Sequence, residues 1–430
     1  MKIGLVSLGC AKNLVDSEMV LSLFIESGFE VVVDPENADV IIVNTCGFID
    51  SSKKESVESI IEMAKYKKKL VVIGCLVERY LDDLQKAMPE VDLFIPLRQY
   101  PKMKELINGL FPKETINIEL SPFRRYLSTP WYSAYLRISE GCNNRCSYCA
   151  IPIIRGGFVS RPIEDLKKEA AILAAKGIKE VVVISQDTTR YGTDLKEKTN
   201  VTELLKMLLS FKEFAYIRLL YLYPDELEDS LIELIAKEPR LTPYFDLPIQ
   251  HASTHVLKAM RRRGDKEFLR SLILKIRDKV PHAIIRTTLI VGFPGETDAD
   301  FRELLDFVED MKFDHLGAFT YSREEGTPSY AMSHQVPAKV KAERYQELMK
   351  LQSAIAYGNN KKRIGTTMTG LVVGHSKANG TYQLRSGYNA PDDIDGKIVF
   401  TSPRNLDLGD IVTVKITGAF IYDLEGELVS

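Results

Sequence analysis

Short apolar runs bounded by turn residues alternate with stretches of helical period over the first 95 residues. Positions 3–8, 40–43 and 70–73 read as buried strands, while 14–27, 51–66 and 79–87 carry the apolar spacing of helices. Such alternation predicts a parallel sheet, because a parallel return needs a crossover long enough to be a helix. Pro96, Pro101, Pro112, Pro122 and Pro130 then interrupt the pattern, so 96–132 reads as a connector with one short helix. The alternation resumes at residue 133, with strands expected at 134–139, 180–185, 216–222, 244–249, 284–291 and 316–321. Six β/α units predict a full or partial β/α barrel, whose chemistry would lie at the C-terminal ends of its strands. A charged helix near 338–363 leads to a segment rich in Val, Ile, Thr and Gly, with alternating runs at 370–373, 397–401 and 411–416. That texture predicts a small antiparallel β-barrel. The expected class is α/β, divided at 1–125, 126–364 and 365–430.

The length of 430 residues fits two or three cores. No apolar stretch reaches the ~18 residues of a spanning helix. The start, from Met1 to Cys10, lacks a small-x-small cleavage pattern and reads as a first strand. A cytoplasmic chain with no membrane partner is the expectation. With 57 basic and 59 acidic side chains, the net charge of −2 argues against a protein that coats nucleic acid.

Six cysteines change the picture, since a cytoplasmic chain keeps them reduced and frees them for metal or catalysis. Cys142, Cys146 and Cys149 form a C-x3-C-x2-C run directly after the first barrel strand. A cubane holds four irons, so three thiolates leave one iron open to a further ligand. A structural zinc knuckle would need four protein ligands, and the first histidine of the chain is His251. The run, with Tyr148 before its last cysteine, resembles the radical S-adenosylmethionine signature. That resemblance implies a 4Fe-4S cluster on Cys142, Cys146 and Cys149 and S-adenosylmethionine at its open iron, the cofactor carrying the radical chemistry. It also marks Tyr148, Gln186, Asp187, Arg286, Gly292 and Gly295 as cofactor-binding candidates at later strand ends. Gly-Pro pairs are otherwise plain turns, and a strand Arg is otherwise a paired structural residue.

Cys10, Cys46 and Cys75 each follow an apolar strand. In a parallel sheet these ends share one edge, the usual ligand edge of α/β folds, so three thiolates can converge despite their separation. A lone buried cysteine is more often a small hydrophobe, but three at equivalent strand ends favour ligation. With both trios, the chain resembles the methylthiotransferase family over its full length, including a C-terminal TRAM domain. The resemblance implies a second three-cysteine 4Fe-4S cluster, S-adenosylmethionine as both methyl donor and radical source, and an electron donor of flavodoxin or ferredoxin type.

Two substrate branches compete within that family: an aspartate of small-subunit ribosomal protein S-twelve, and an adenosine of tRNA. The stretches Gly9-Cys10-Ala11-Lys12-Asn13 and Asn44-Thr45-Cys46-Gly47-Phe48 resemble the ribosomal-protein branch, as do Leu220-Tyr221-Leu222-Tyr223-Pro224 and Leu247-Pro248-Ile249-Gln250-His251. The tRNA branch tends to carry Gln-x-Asn after its first cysteine. Ala11 departs from the Pro frequent in the favoured branch. Residues 366–430 hold five basic and eight acidic side chains, a net −3 that suits a basic protein better than RNA. Arg261-Arg262-Arg263 and Lys361-Lys362-Arg363 are expected to end helices, where cations meet the dipole. His251 is a weak candidate for proton handling, and no general base stands out.

Overall fold

Five parallel strands make the first sheet, in the order β2-β1-β3-β4-β5, in a computed structural model that describes residues 1–111 and 115–429. They are β1 (Lys2–Ser7), β2 (Glu30–Val31), β3 (Val40–Thr45), β4 (Lys69–Gly74) and β5 (Leu93–Pro96). The two outer strands escaped the sequence pattern because β2 has only two residues and β5 ends in a proline, which only an edge tolerates. Pro112 lies outside the described residues. Helices Ala11–Ile25, Asp50–Ala64 and Cys75–Ala87 flank the sheet. Arg125 of the connector donates to Glu18 at 2.6 Å and to Glu169 at 2.6 Å, which ties the first helix to the central domain by a buried ion network.

The central domain holds β6 (Ser133–Arg137), the short antiparallel pair β7 (Ser139–Glu140) and β8 (Val159–Ser160), then β9 (Glu180–Ile184), β10 (Tyr216–Leu219), β11 (Tyr244–Asp246), β12 (Ile284–Val291) and β13 (His315–Thr320). Sheets β6-β9-β10 and β11-β12-β13 are parallel throughout and abut where Leu222 N–H donates to the Asp246 carbonyl at 2.9 Å. The six strands form an open, partial barrel. Their outward side chains, such as Val181, Val183, Leu219, Ile285 and Leu289, pack on the surrounding helices. Inward residues Tyr135, Val182, Ile184, Leu220, Tyr244 and Ile284 instead share a cluster with Ala11, Val15 and Met19 of the first domain and with the core of the last. Both other domains therefore cover the barrel's interior face.

The last domain is a closed five-stranded barrel of β14 (Thr367–Ser376), β15 (Thr381–Ser386), β16 (Ile398–Thr401), β17 (Ile411–Ala419) and β18 (Leu424–Leu428). Its β16–β18 pair is parallel, a departure from the all-antiparallel expectation, because β18 re-enters beside β16 after β17 has crossed the domain. Asp395 seats the domain: it accepts from Tyr244 Oη at 2.6 Å and faces Arg286 at 3.5 Å. Asp392 accepts from Tyr135 Oη, and Arg385 pairs with Glu180. Three of the charges counted in the sequence are thus spent on docking. Among the described residues, no helix is long and apolar enough to cross a membrane.

Candidate active site

The register of the first sheet brings the N-terminal trio together. Ser7 pairs with Asn44 and Thr45 with Gly74, so the segments leaving β1, β3 and β4 emerge side by side with Cys10, Cys46 and Cys75 at their tips. Gly74 has φ +101°, and a Cβ there would stand 2.3 Å from Asn44 Oδ1; only glycine permits this close turn into Cys75. Ser56 Oγ accepts from the Cys46 N–H at 3.0 Å and donates to its carbonyl at 2.9 Å, which fixes that tip. Asn13 laces the trio: its Nδ2 donates to the Leu8 and Thr45 carbonyls, each at 3.0 Å, and its Oδ1 accepts from the Cys75 thiol at 3.3 Å.

The three thiols differ electrostatically. Desolvation opposes ionisation of Cys10, but Lys12, Arg155 and the N–H groups of Asn13 and Lys12 outweigh it and draw its pKa down. Cys10 is nevertheless exposed to solvent. Burial raises Cys46 and pushes Cys75 up to about 12.

The second trio occupies the loop after β7. Gly141, with φ +72°, starts the loop where a Cβ would meet the Gly157 carbonyl oxygen at 2.1 Å. Cys142 N–H donates to the Gly156 carbonyl at 3.2 Å, and Cys149 N–H to that of Cys146 at 3.1 Å. Burial raises the pKa of Cys142 and Cys149. Arg262 corrects the helix-cap expectation: it is buried, lies 4.0 Å from Cys146 Sγ, stacks 3.9 Å from the centre of the Tyr223 ring, and donates to the Pro248 carbonyl at 2.6 Å. Sequence reasoning missed it because a triple arginine looks like a solvated helix end. Tyr223 Oη stands 3.6 Å from Cys146 Sγ.

Arg155, six positions beyond Cys149, reaches from the barrel into the first domain. Its Nη2 donates to Asn13 Oδ1 at 2.6 Å and Asp16 Oδ2 at 2.9 Å, and lies 3.5 Å from Cys75 Sγ. Its Nη1 donates to Glu140 Oε1 at 3.1 Å. Gln186 Nε2 donates to the same Glu140 oxygen at 2.8 Å, so a continuous chain of polar contacts runs from Cys75 to the strand ends of the barrel. Burial works against the Glu140 charge, yet Arg137 and Arg155 prevail and hold its pKa below the ordinary carboxylate value.

The other candidates divide. Tyr148 packs beside Phe293, Tyr321 and Met260 under the thiol loop. Asp187 accepts from Asn144 Nδ2 at 2.6 Å, which links it to that loop, and burial raises its pKa. Gln186 Oε1 is buried without a partner, an acceptor left for a ligand. Arg286 does face inward, but it is engaged by Asp246 at 3.0 Å and Asp395, and none of its partners comes from the thiol loop. Gly292 N–H donates to Glu296 at 2.6 Å and Gly295 N–H to the His334 carbonyl at 2.9 Å. His251 is fully buried and accepts from the Ser253 N–H at 2.9 Å; desolvation lowers its pKa to about 3, which removes it from proton handling near neutrality.

The donor sets fit iron–sulfur clusters. Among the described residues, no three His, Cys, Asp or Glu side chains are gathered so as to hold a single ion. Each trio is all-thiol, and its members are near enough to perturb one another's ionisation. The buried Tyr100 hydroxyl, without a partner, stands among Asp16, Arg155 and Cys75 beside the first trio.

An open β/α barrel with a C-x3-C-x2-C loop at its chemical end, faced by a second thiol trio on a parallel-sheet edge, defines a radical S-adenosylmethionine enzyme with an added metal domain. Residues 2–96 match the uncharacterised protein family UPF0004, 136–308 the radical SAM superfamily and 364–429 the TRAM domain. The ribosomal protein uS12 methylthiotransferase RimO of Desulforamulus reducens is 48% identical, covering 99% of each chain. That of Aquifex aeolicus is 47% identical over 99% of this chain and 97% of its own. TsrM, a radical S-adenosylmethionine methyltransferase from Kitasatospora setae solved with tryptophan and a SAM analogue, shares the fold at TM-score 0.56 and 13% identity, over 82% of this chain and 89% of its own. The chain belongs to the RimO family of methylthiotransferases.

Proposed function

We propose that this chain replaces a hydrogen on the β-carbon of an aspartate in ribosomal protein uS12 by a methylthio group. The observation that carries this reading is the pairing of the two thiol trios through Arg155, within a chain that matches uS12 methylthiotransferases end to end. Cys10, Cys46 and Cys75 would hold one 4Fe-4S cluster and Cys142, Cys146 and Cys149 the other. When bound, the clusters and S-adenosylmethionine supply sulfur delivery, a methyl group and a hydrogen-abstracting radical.

The protein's own groups position and shield. Gln186 and Asp187, at the end of β9, supply polar contacts for the cofactor, while Tyr148, Phe293 and Tyr321 exclude water beneath it. Arg262 places a positive charge beside Cys146 and opposes the build-up of negative charge there. Arg155 and Asn13 hold the N-terminal trio towards the barrel.

A flavodoxin- or ferredoxin-type protein supplies the electrons in this reading, and tRNA is not a partner. The acidic balance of residues 366–430 supports both the basic ribosomal protein and the exclusion of RNA. The test is anaerobic reaction of the reconstituted enzyme with isolated uS12 and, separately, with tRNA. A methylthio adduct on a uS12 aspartate is expected from peptide mass spectrometry, and an adduct confined to tRNA adenosine overturns the reading.

A further inference from the structure

Lys12 is a buried ammonium without a carboxylate. It lies at the first turn of helix Ala11–Ile25, two positions after Cys10, and is 7% exposed. Its Nζ sits 3.3 Å over the centre of the Tyr221 ring and makes one long hydrogen bond, 3.4 Å to the Ser185 carbonyl oxygen. Among the described residues, no Asp or Glu oxygen lies within ion-pair distance of it. The other cations of this region are engaged: Arg137 by Asp16 and Glu140, Arg155 by the same two, and Arg286 by Asp246 and Asp395. An ammonium has three donors, and burial with two unmet is unfavourable unless an anion completes the site.

The Nζ is near enough to Cys10 to favour its thiolate, but its one hydrogen bond goes to Ser185 and none to that thiol, so its position says which further anion completes the site. Ser185 follows β9 and Tyr221 follows β10, so both supports belong to the chemical end of the barrel, whereas Lys12 arrives from the domain of the other trio. The Nζ therefore stands between Cys10 and the strand ends that carry Gln186 and Asp187. Tyr221 is held in this place under strain: its φ is +63°, rare for an aromatic residue, and it is pinned by its N–H donating to Asp246 Oδ2 at 2.9 Å and its carbonyl accepting from the Thr188 N–H at 3.0 Å. Half-buried Thr288 and Ile290, with exposed Phe319 beside Ile290 in register, continue this inner face of the barrel.

We propose that Lys12 is the subsite for the side-chain carboxylate of the substrate aspartate. Resting on the uS12 reading above, the assignment gives the enzyme its choice of an acidic residue: the ammonium neutralises the carboxylate, and the Tyr221 ring beneath supports the cation and limits how far the side chain enters. The β-carbon, one bond from the carboxyl carbon, is thereby held between the two trios.

A methionine carboxylate from S-adenosylmethionine has the same chemistry, so the experiment separates the two sources. Reconstituted wild type, Lys12→Met and Lys12→Arg are compared for binding of uS12, of uS12 with the target Asp changed to Asn, and of S-adenosylmethionine, with iron per chain confirming that both clusters are loaded. Loss of one charge-assisted contact predicts about 10- to 100-fold weaker uS12 binding in Lys12→Met and a like loss for the Asn substrate on wild type. Combining the two changes is expected to add nothing further, and Lys12→Arg to restore part of the affinity. Additive losses overturn the proposal, as does a weakened affinity for S-adenosylmethionine with uS12 binding intact. The Asn substrate on wild type keeps the test sharp even where a Lys12 variant folds poorly. A wild type that binds uS12 but places the methylthio group on another residue type sinks the function proposed above; normal aspartate modification with additive losses sinks the subsite alone.

Discussion

Nη2 of Arg155 lies 3.5 Å from Sγ of Cys75, so a residue encoded beside one thiol trio touches the other. The contact spans 80 positions of sequence and is backed by Asp16 and Glu140, each within 3.1 Å of the same guanidinium. Two carboxylates and a thiol thus fix the distance between the halves of the site.

Arg155→Ala leaves Asp16 and Glu140 sharing only Arg137, and breaking such a buried pair costs about 3–5 kcal/mol. The expected outcome is a lowered denaturation midpoint and loss of methylthio product, with 5′-deoxyadenosine release from the barrel site retained. Arg155→Lys keeps the charge without the planar donor set, so it should recover stability better than product yield. Equal loss of both activities would show that Arg155 serves the barrel alone.

In the metal-free protein, the thiols of the first trio should separate by reactivity. The thiolate is the nucleophile, so exposed Cys10, with its lowered pKa, should be alkylated by iodoacetamide first near neutral pH. Cys75, at about 12, should resist until strongly alkaline pH. Mass mapping of the labelled peptides checks the order, and cluster loading should protect all three.

His251 sets an acid limit. Its pKa falls from 6.5 to about 3 on burial, so below pH 6.5 the unfolded chain gains a proton that the folded protein refuses. Stability is full above that value and declines as pH falls towards 3. At pH 5 the decrement from this group is about 2 kcal/mol. His251→Gln, which retains an acceptor for Ser253, should flatten this part of the pH profile in urea titrations.

Asp395 anchors the small barrel. Replacing it by Ala removes an acceptor from Tyr244 and one of two carboxylates from Arg286, and also frees the Ala390 N–H. A loss of about 3–5 kcal/mol is expected. It should appear as faster proteolysis between the long helix Ala338–Lys361 and β14, since the interface yields before either domain unfolds. Unchanged protease resistance would mean that the pair Glu180–Arg385 suffices to hold the domain.

The sequence alone was enough for what depends on period and local spacing. Alternating runs revealed the six barrel strands, and the tight C-x3-C-x2-C spacing brought the barrel trio into view because one loop carries all three thiols. Even the distant Cys10, Cys46 and Cys75 were legible, since each follows a strand and a parallel sheet puts strand ends on one edge. The parallel β16–β18 pair and the two-residue β2 were not legible, as both are set by partners distant in sequence. Arg262 looked like a helix end until its burial against Tyr223 and Cys146 showed otherwise, and Arg286, a cofactor candidate from its strand position, meets Asp246 and Asp395, the latter from another domain. Lys12 and Arg155 gain their meaning solely from packing: a charge is defined by what surrounds it, and the surroundings here are assembled from three domains. Local pattern therefore determined the elements and the thiols, while the tertiary structure decided which charges are paired, which is open, and how the two trios face each other.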